Sequence, residues 1–598
     1  MDSVLHRLEA RATRDPDGIA QRYKEAGVWK PVSNAELRDR ITYFARFLKK
    51  MGFSKENVVG IFAYNHPLWV VADLAPGLLG AKSAGIYPNS SPKEIEYILN
   101  FTRARVLIVQ SEDYYKKLLG KDEGFSLPDT VESIVVIQGS THFHPKAISF
   151  YEALDIGRLH EPEWTMKKFL GHMDVHEGVF IVFTSGTTGK PKGALISHDN
   201  LVFTTDCIVE RFQLGGIQQG STFSFLPLNH IAEKLQTLGV GLTFDIAINF
   251  CTSMDKLTEE LCEIQPTLLL CVPRLWEKMH AGARSKIQQV TGPKRALLDW
   301  ALAIGQKRAR HRYHQGSFTI ADHLQHALAE KLVLGKMKRA MGLGQVQFAA
   351  SGAAPLPADV ARWFAGLGVE ILEDYGQSET TGVICLTAPG KDFAGTVGTP
   401  APRTEFKLLD DGEICSKGRH VFKGYFKDEA ATQAAMNDGW LITGDLGSKT
   451  PEGYIKIVGR KKEILKTSGG KMVAPLPIEE AIKTSPIIAQ TCMVGDNHKY
   501  FVALVTLNED RLKAATGASG GGPFDTLEDP NVLREVGEVI SHVNKTLASY
   551  EQIKYFKVLK RDFSIEHGEL TPTLKIKRNV IAKNFEHVIA GMYPTHDV

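Results

Sequence analysis

What the 598-residue sequence lacks narrows its possibilities first. Nowhere does it hold a run of about 18 uncharged apolar residues, the length needed to cross a bilayer. The apolar stretch "LGVGLTFDIAINF" is too short for that and carries Asp245. Cysteine is sparse: Cys207, Cys251, Cys262, Cys271, Cys385, Cys415 and Cys492 are scattered without a CxxC pair. That spacing excludes a zinc ribbon or a disulfide scaffold and reads as neutral thiols in a reducing compartment. Net charge is only +3, with both signs mixed along the chain, so no nucleic-acid footprint is visible. The opening "MDSVLHRLEARATRDPDG" has charges throughout and none of the apolar core of a signal peptide. The reading is a cytoplasmic protein.

What is present is an alternation of strand and helix. "NVVGIFAYN" has the continuous apolar pattern of a buried strand, and "HPLWVVADLAPGLLG" reads as helical up to its glycines. "SPKEIEYILNF" opens on a capping box, with Ser91 as cap, Pro92 at the first helical position and Glu94 reaching back. "RVLIVQS" follows as a strand. Such alternation implies parallel sheets covered on both faces, an α/β fold. Length suggests roughly four domain-sized pieces. Residues 281–340 are helical and basic, with Lys307, Arg308, Arg310 and Arg312 clustered. A solvated helix face is the plain reading of that cluster, and a membrane-surface patch the sharper one. Around "YIKIVGRKKEILKTSGGKMVAP" the style changes: a strand ends at Val458 and charges gather at 460–463. A boundary is placed there, giving a large domain 1–459 and a small α+β domain 460–598. "TGASGGGPFDTLEDP" within the latter reads as a flexible surface loop.

The chemistry centres on "VFTSGTTGKPKGALISH", residues 182–198. A Walker loop needs four residues between its glycine and Gly-Lys, then Ser or Thr for magnesium. Here two residues separate Gly186 from Gly189, and Lys190 is followed by Pro191, which has neither hydroxyl nor N–H. Still, the hydroxyls of Thr184, Ser185, Thr187 and Thr188 and the loop amides can donate to phosphate oxygens, while Lys190 or Lys192 adds charge. The loop follows "GVFIVF", a buried strand, as a ligand loop at a sheet edge does.

With "SGAAPL" (351–356), "DYGQSETTG" (374–382), "GEICSKGRHVFKGYF" (412–426), "GWLITGDLG" (439–447), "GRKKEILKTSGGKMVAP" and "GELTPTLKIKR", this loop completes seven motifs in order. They resemble those of the AMP-forming acyl-CoA synthetases of the adenylate-forming superfamily, over essentially the whole chain. The resemblance implies activation of a carboxylate with ATP and Mg2+, followed by transfer to coenzyme A. It implies an ATP site built from 185–190, Ser351, Gly352, Ala353, Asp374, Tyr375, Gly376, Gln377 and Ser378. Glu379 would be the magnesium ligand, a hard oxygen donor suited to that ion. Tyr375 offers a face to adenine, Asp445 accepts from the ribose hydroxyls, and Arg460 touches the ribose. Lys575 takes the place of the adenylation lysine, with Glu379 and Thr184 as its catalytic companions, and Lys577 and Arg578 read as a charged solvent face. Lys462 matches the hinge about which the small domain swings, and Gly469 and Gly470 the loop brought to the thioester side.

"FLPLNHIAEK" resembles the family segment lining the acyl site, with His230 on the substrate side. "YNHPLWVVADLA", "GIYPNSSPKEIEYIL" and the extended basic helices resemble the long-chain and bubblegum-type branch, whereas "GGKMVAPLPIE" departs from the commoner long-chain Asn-Gly. A fatty acid is therefore the implied acid, since each buried methylene adds about 0.8 kcal/mol without polar contacts. A fatty acyl-AMP ligase serving a carrier protein and a non-catalytic lipid- or partner-binding relative are the alternatives.

Overall fold

The computed structural model describes residues 2–119, 125–184, 190–216, 220–314, 317–516, 525–571 and 575–593. The chain separates into two compact units. The first takes Met1–Thr184, Pro191–Phe406 and Ser416–Leu441; the second holds Lys407–Cys415 and Ile442–Val598.

In the first unit the described residues form two large sheets. One runs Ala147–Ser149, Ser133–Val136, Val106–Val109, Val58–Phe62, Lys82–Gly85, Gly178–Thr184, Lys192–Ser197 across its width, parallel except for the final pair. Successive side chains point to opposite faces of a strand. Val59, Ile61, Val106 and Ile108 therefore enter one core, and Val58, Phe62, Leu107 and Val109 another. Both faces are covered, which is why these strands read as continuous apolar runs rather than alternating ones. The other sheet has Ile371–Tyr375, Phe348–Ser351, Leu268–Cys271, Gly220–Ser224, Ile246–Phe250 and Ile19–Glu25 as its parallel centre. Antiparallel strands flank it: Val28–Ser33 on one side, Cys385–Leu386 and Thr399–Pro400 on the other.

Helix starts follow the side chains that cap them. Ser91 Oγ accepts from the Glu94 amide at 3.2 Å, and Pro92 opens the helix Pro92–Thr102. This cap is one-way: the Glu94 carboxylate does not return the bond, contrary to the expected box. Reciprocal boxes stand at Ser197 with Asn200, at the head of His198–Phe212, and at Thr319 with Asp322, at the head of Ile320–Ala329. "HPLWVVADLAPGLLG" divides into the helix Pro67–Leu74 and a 3₁₀ turn Pro76–Leu79, closed by Gly80 at φ +69.

The basic region folds as Pro273–Gln288, Gly292–His314, Ile320–Ala329, a wide π turn Glu330–Leu334, and Gly335–Ala340. Two of its four clustered cations face acids. Lys307 pairs with Asp322 at 2.6 Å and Arg312 with Glu370 at 3.5 Å, while Arg308 lies 3.4 Å from His326. These contacts favour the solvated-face reading. No helix among the described residues is long and apolar enough to cross a membrane.

The second unit contains a four-stranded sheet in the order Ile488–Val494, Phe501–Leu507, Ile553–Leu559, Thr526–Leu527, with Pro475–Lys483 and Pro530–Asn544 among its helices. The strand expected to end at Val458 continues to Arg460, because Asp445 pairs opposite it. Of the flexible loop expected at 516–530, residues 517–524 lie outside the described set. Six of the seven cysteines are buried and Cys262 is half-buried.

Candidate active site

In the first unit, the strands Phe348–Ser351 and Ile371–Tyr375 run parallel with Ser351 opposite Glu373, so both carboxyl ends open at the same sheet edge. That edge is where ligands sit in open α/β sheets. The two following loops interlock because their residues are small. A Cβ on Gly352 would fall 2.5 Å from the Asp374 carboxylate, and one on Gly376 would fall 2.3 Å from the Gly382 carbonyl oxygen. Ala353 sits at φ +71, a left-handed conformation that costs a non-glycine residue roughly 1–3 kcal/mol and concentrates at functional sites. Ser351 Oγ is buried and has no hydrogen-bond partner among the described residues, as a donor awaiting a ligand would be. Burial pushes the Asp374 carboxyl up to about 7 and the neighbouring Glu373 up to about 8. Glu373 accepts from the Leu356 amide at 3.2 Å, tying the first loop to the second strand.

Glu379 lies on the 3₁₀ turn Ser378–Thr380. Gln377 caps this turn: its amide donates to Thr380 Oγ1 at 3.0 Å, and its carbonyl accepts from the Gly382 amide at 2.8 Å. One carboxylate oxygen of Glu379 accepts from the Tyr425 hydroxyl at 2.7 Å. Tyr425 belongs to "VFKGYF", which is stitched to the strand after the phosphate loop: the Leu195 amide donates to the Gly424 carbonyl, and the Phe426 amide to the Gly193 carbonyl. Lys192 Nζ lies 5.1 Å from the Tyr425 ring centroid, and Thr184 Oγ1 donates to the Lys192 carbonyl at 3.4 Å. The flanks of the loop, Thr184 and Lys192, are thus joined through Tyr425 to Glu379. Ser185, Gly186, Thr187, Thr188 and Gly189 lie outside the described residues. Sequence reasoning missed Tyr425; its signal was the aromatic in "KGYF", a motif quoted without a role for that residue.

His230 performs a local task, its Nδ1 accepting from the Ala232 amide at 3.2 Å to cap Ile231–Lys234. That helix adjoins the 378–382 turn, since a Cβ on Gly382 would sit 3.5 Å from Leu235 and 3.8 Å from Ile231. Beneath it, Lys234 and Asp73 form a fully buried ion pair, and Ser83 donates to Asp73 at 2.6 Å. Lys234 also lies 5.0 Å from the Trp69 ring centroid and 4.8 Å from that of Phe180. Glu233 beside it is pushed up to about 7 by burial.

The second unit carries the remaining candidates. Asp445 is buried on Trp440–Lys449 and faces Arg460 across an antiparallel pair, the two side chains 3.3 Å apart. The Asp445 amide donates to Thr443 Oγ1 at 3.1 Å. Immediately after Arg460, Lys461 bridges Asp411 at 2.7 Å and Glu413 at 2.8 Å. Lys462 is exposed on the 3₁₀ turn Lys461–Glu463. Gly469 and Gly470 form the tip of a small hairpin in which the Gly470 amide donates to the Thr467 carbonyl at 2.8 Å; Gly470 stands at φ +81. Lys575 is exposed, and its amide donates to Thr571 Oγ1 at 3.0 Å. Arg578 departs from expectation. It is no solvent-face charge but a largely buried guanidinium, bonded to Glu479 at 2.5 and 2.9 Å.

A family model described as "AMP-binding enzyme" matches residues 8–426, and one described as "AMP-binding enzyme C-terminal domain" matches 462–597. The chain belongs to the AMP-binding enzyme family. It is 31% identical to a long-chain-fatty-acid–CoA ligase of Mycobacterium bovis, across 99% of this chain and 97% of that protein. A long-chain-fatty-acid–CoA ligase of Gallus gallus is 30% identical, across 96% of this chain and 79% of its own. Among solved structures, o-succinylbenzoate coenzyme A synthetase of Bacillus subtilis in complex with ATP and magnesium shares this fold. The TM-score is 0.66 at 20% identity, covering 96% of this chain and 98% of that one. In this AMP-binding enzyme the large unit is therefore a doubly covered, parallel-rich α/β body and the second a smaller α+β one, as the alternation of motifs implied.

Proposed function

We propose that this AMP-binding enzyme is a long-chain fatty acid–CoA ligase, using ATP and Mg2+ to form a fatty acyl-adenylate and pyrophosphate, then coenzyme A to give acyl-CoA and AMP. The observation that carries the reading is full-length similarity to relatives bearing that activity, together with intact adenylation residues. The working boundary is 459/460, with Lys462 as hinge; the interval between the two matched family segments, 427–461, supports it.

Adenylation requires the acid's carboxylate oxygen to attack the α-phosphorus of ATP while the bond to pyrophosphate breaks. Charge spreads over the α-phosphate and the leaving group, so cations and fixed donors are needed at both. Thr184 and the loop hydroxyls, with Lys190 or Lys192, serve the departing phosphates. Glu379, oriented by Tyr425, is the carboxylate that would hold Mg2+, and the ion would neutralise phosphate charge. The buried, unpartnered Ser351 hydroxyl and the close-packed Gly352 and Gly376 fit a flat base laid along the backbone beside Tyr375. Asp445 accepts from ribose hydroxyls with Arg460 alongside. Lys575 supplies the ammonium for charge developing between carboxylate and α-phosphate, and Gly469 and Gly470 give the thioester step a flexible docking turn.

Measuring AMP release with coenzyme A present, across straight-chain acids from acetate to stearate and with benzoate, tests the substrate class. The optimum should fall among the long chains; a maximum at acetate or benzoate would overturn it. Release that requires an acyl carrier protein instead of coenzyme A would favour the fatty acyl-AMP ligase.

A further inference from the structure

The helix Ile320–Ala329 and the π turn after it carry a row of apolar side chains that no described residue covers. Ile320 is 83% exposed, Leu324 69%, Leu328 50% and Leu332 38%. Four-residue spacing places them along one side of the helix, over about 18 Å of axis. A four-residue row drifts around a regular α-helix. The wide turn Glu330–Leu334, which accommodates extra backbone, brings Leu332 back toward the row. Ala321 and Ala327 are exposed beside it, and Leu297 on the preceding helix is 41% exposed.

Charge on this segment is one-sided. Its two acids are engaged with cations of their own, Asp322 buried against Lys307 at 2.6 Å and Glu330 paired with Lys338 at 2.8 Å. Lys331, Lys336 and Arg339 are exposed, and every exposed residue between Ile320 and Ala340 is apolar, neutral or basic. An apolar row with cations at one end, its two acids each paired to a cation, matches a helix lying in the interface of an anionic bilayer, leucines among the acyl chains and lysines at the headgroups.

We infer that the segment 320–339 docks this protein onto an anionic lipid surface. A second copy is the other occupant an apolar row could take, and the oligomeric state of the leucine variant separates it from lipid. The surface differs from the Lys307–Arg312 cluster singled out in the sequence, where Lys307 and Arg312 are paired with Asp322 and Glu370. The inference stands apart from substrate identity, since none of its residues belongs to an adenylation motif.

Co-sedimentation of the full chain with vesicles of phosphatidylcholine, alone or mixed with phosphatidylglycerol, tests it. The native chain should pellet with the mixed vesicles, less so at high salt, and far less with the neutral ones. Leu324→Glu with Leu328→Glu should reduce pelleting on the order of tenfold, as should Lys331→Ala with Lys336→Ala at low salt. Pyrophosphate exchange should persist in both pairs, since neither touches the site, and it reports that the variants fold. Failure of the native chain to bind mixed vesicles, or undiminished binding by the leucine variant, overturns the inference. So does a native dimer that becomes monomeric in the leucine variant without any lipid binding.

Discussion

Glu379 is aimed by one hydroxyl, 46 residues further along the chain. Removing it in Tyr425→Phe leaves the ring under Lys192 but deletes a hydrogen bond to a charged group, worth about 1.5–3 kcal/mol. The Mg2+ concentration needed for half-maximal pyrophosphate exchange should rise on the order of tenfold, and an unchanged Mg2+ titration would remove Tyr425 from the site. Lys575→Ala should slow adenylation on the order of 10²–10³-fold, the usual cost of one transition-state donor. Preformed acyl-adenylate should still react with coenzyme A in that variant; unimpaired pyrophosphate exchange would reassign the role. Glu373 offers a pH test. Its folded carboxyl is raised by burial from 4.5 to about 8, so the neutral form is the one the fold accepts. The stability it contributes is complete below pH 4.5 and lost as pH rises through 8. Glu373→Gln should thus gain urea midpoint over the native chain progressively across that window, whereas a constant difference would show that burial does not govern the group. At this scale the site was legible where neighbours in sequence are neighbours in space, as in 374–379. Tyr425 was not, because its partnership exists only once strand 192–197 is stitched to 421–426.

Between elements, the informative residue is Arg578. It joins the first turn of Arg578–Asn584 to Glu479 on Pro475–Lys483, with Glu479 only 4% exposed. Glu479→Ala leaves a guanidinium buried without its anion, which costs about 3–5 kcal/mol. The drop in urea midpoint measures it, and a neutral result would return Arg578 to the surface. "KIKR" reads as solvated because its partner is 99 residues away, and pairing at that range has no periodicity to betray it. The basic helices teach the converse. Composition announced their charge, but Asp322 and Glu370, which settle what that charge does, come from other turns and other elements. Capping was readable at Ser91 because the donor lies three residues on; whether Glu94 answers depends on a rotamer that sequence does not specify.

For the whole molecule, the alternation of strand and helix, doubly covered sheets and a smaller carboxy-terminal body were all legible in periodicity and motif order. The lateral order of strands was not: Lys82–Gly85 lies between Val58–Phe62 and Gly178–Thr184, a neighbourhood set by crossovers of very different length. The apolar cores of the two units share no residue. Calorimetry should therefore resolve two unfolding components, and Glu479→Ala should move only the one belonging to the second unit. Equal displacement of both would mean that the units unfold as one.

The distribution of thiols has a practical corollary. Since every cysteine but Cys262 is buried, a maleimide fluorophore added to the native chain should attach once, with no engineered residue. Cys262 Sγ donates to the Ala340 carbonyl at 3.4 Å, at the end of the exposed basic helix. The dye would stand as a built-in optical gauge there, dimmed by spin-labelled lipid whenever that face settles on a vesicle.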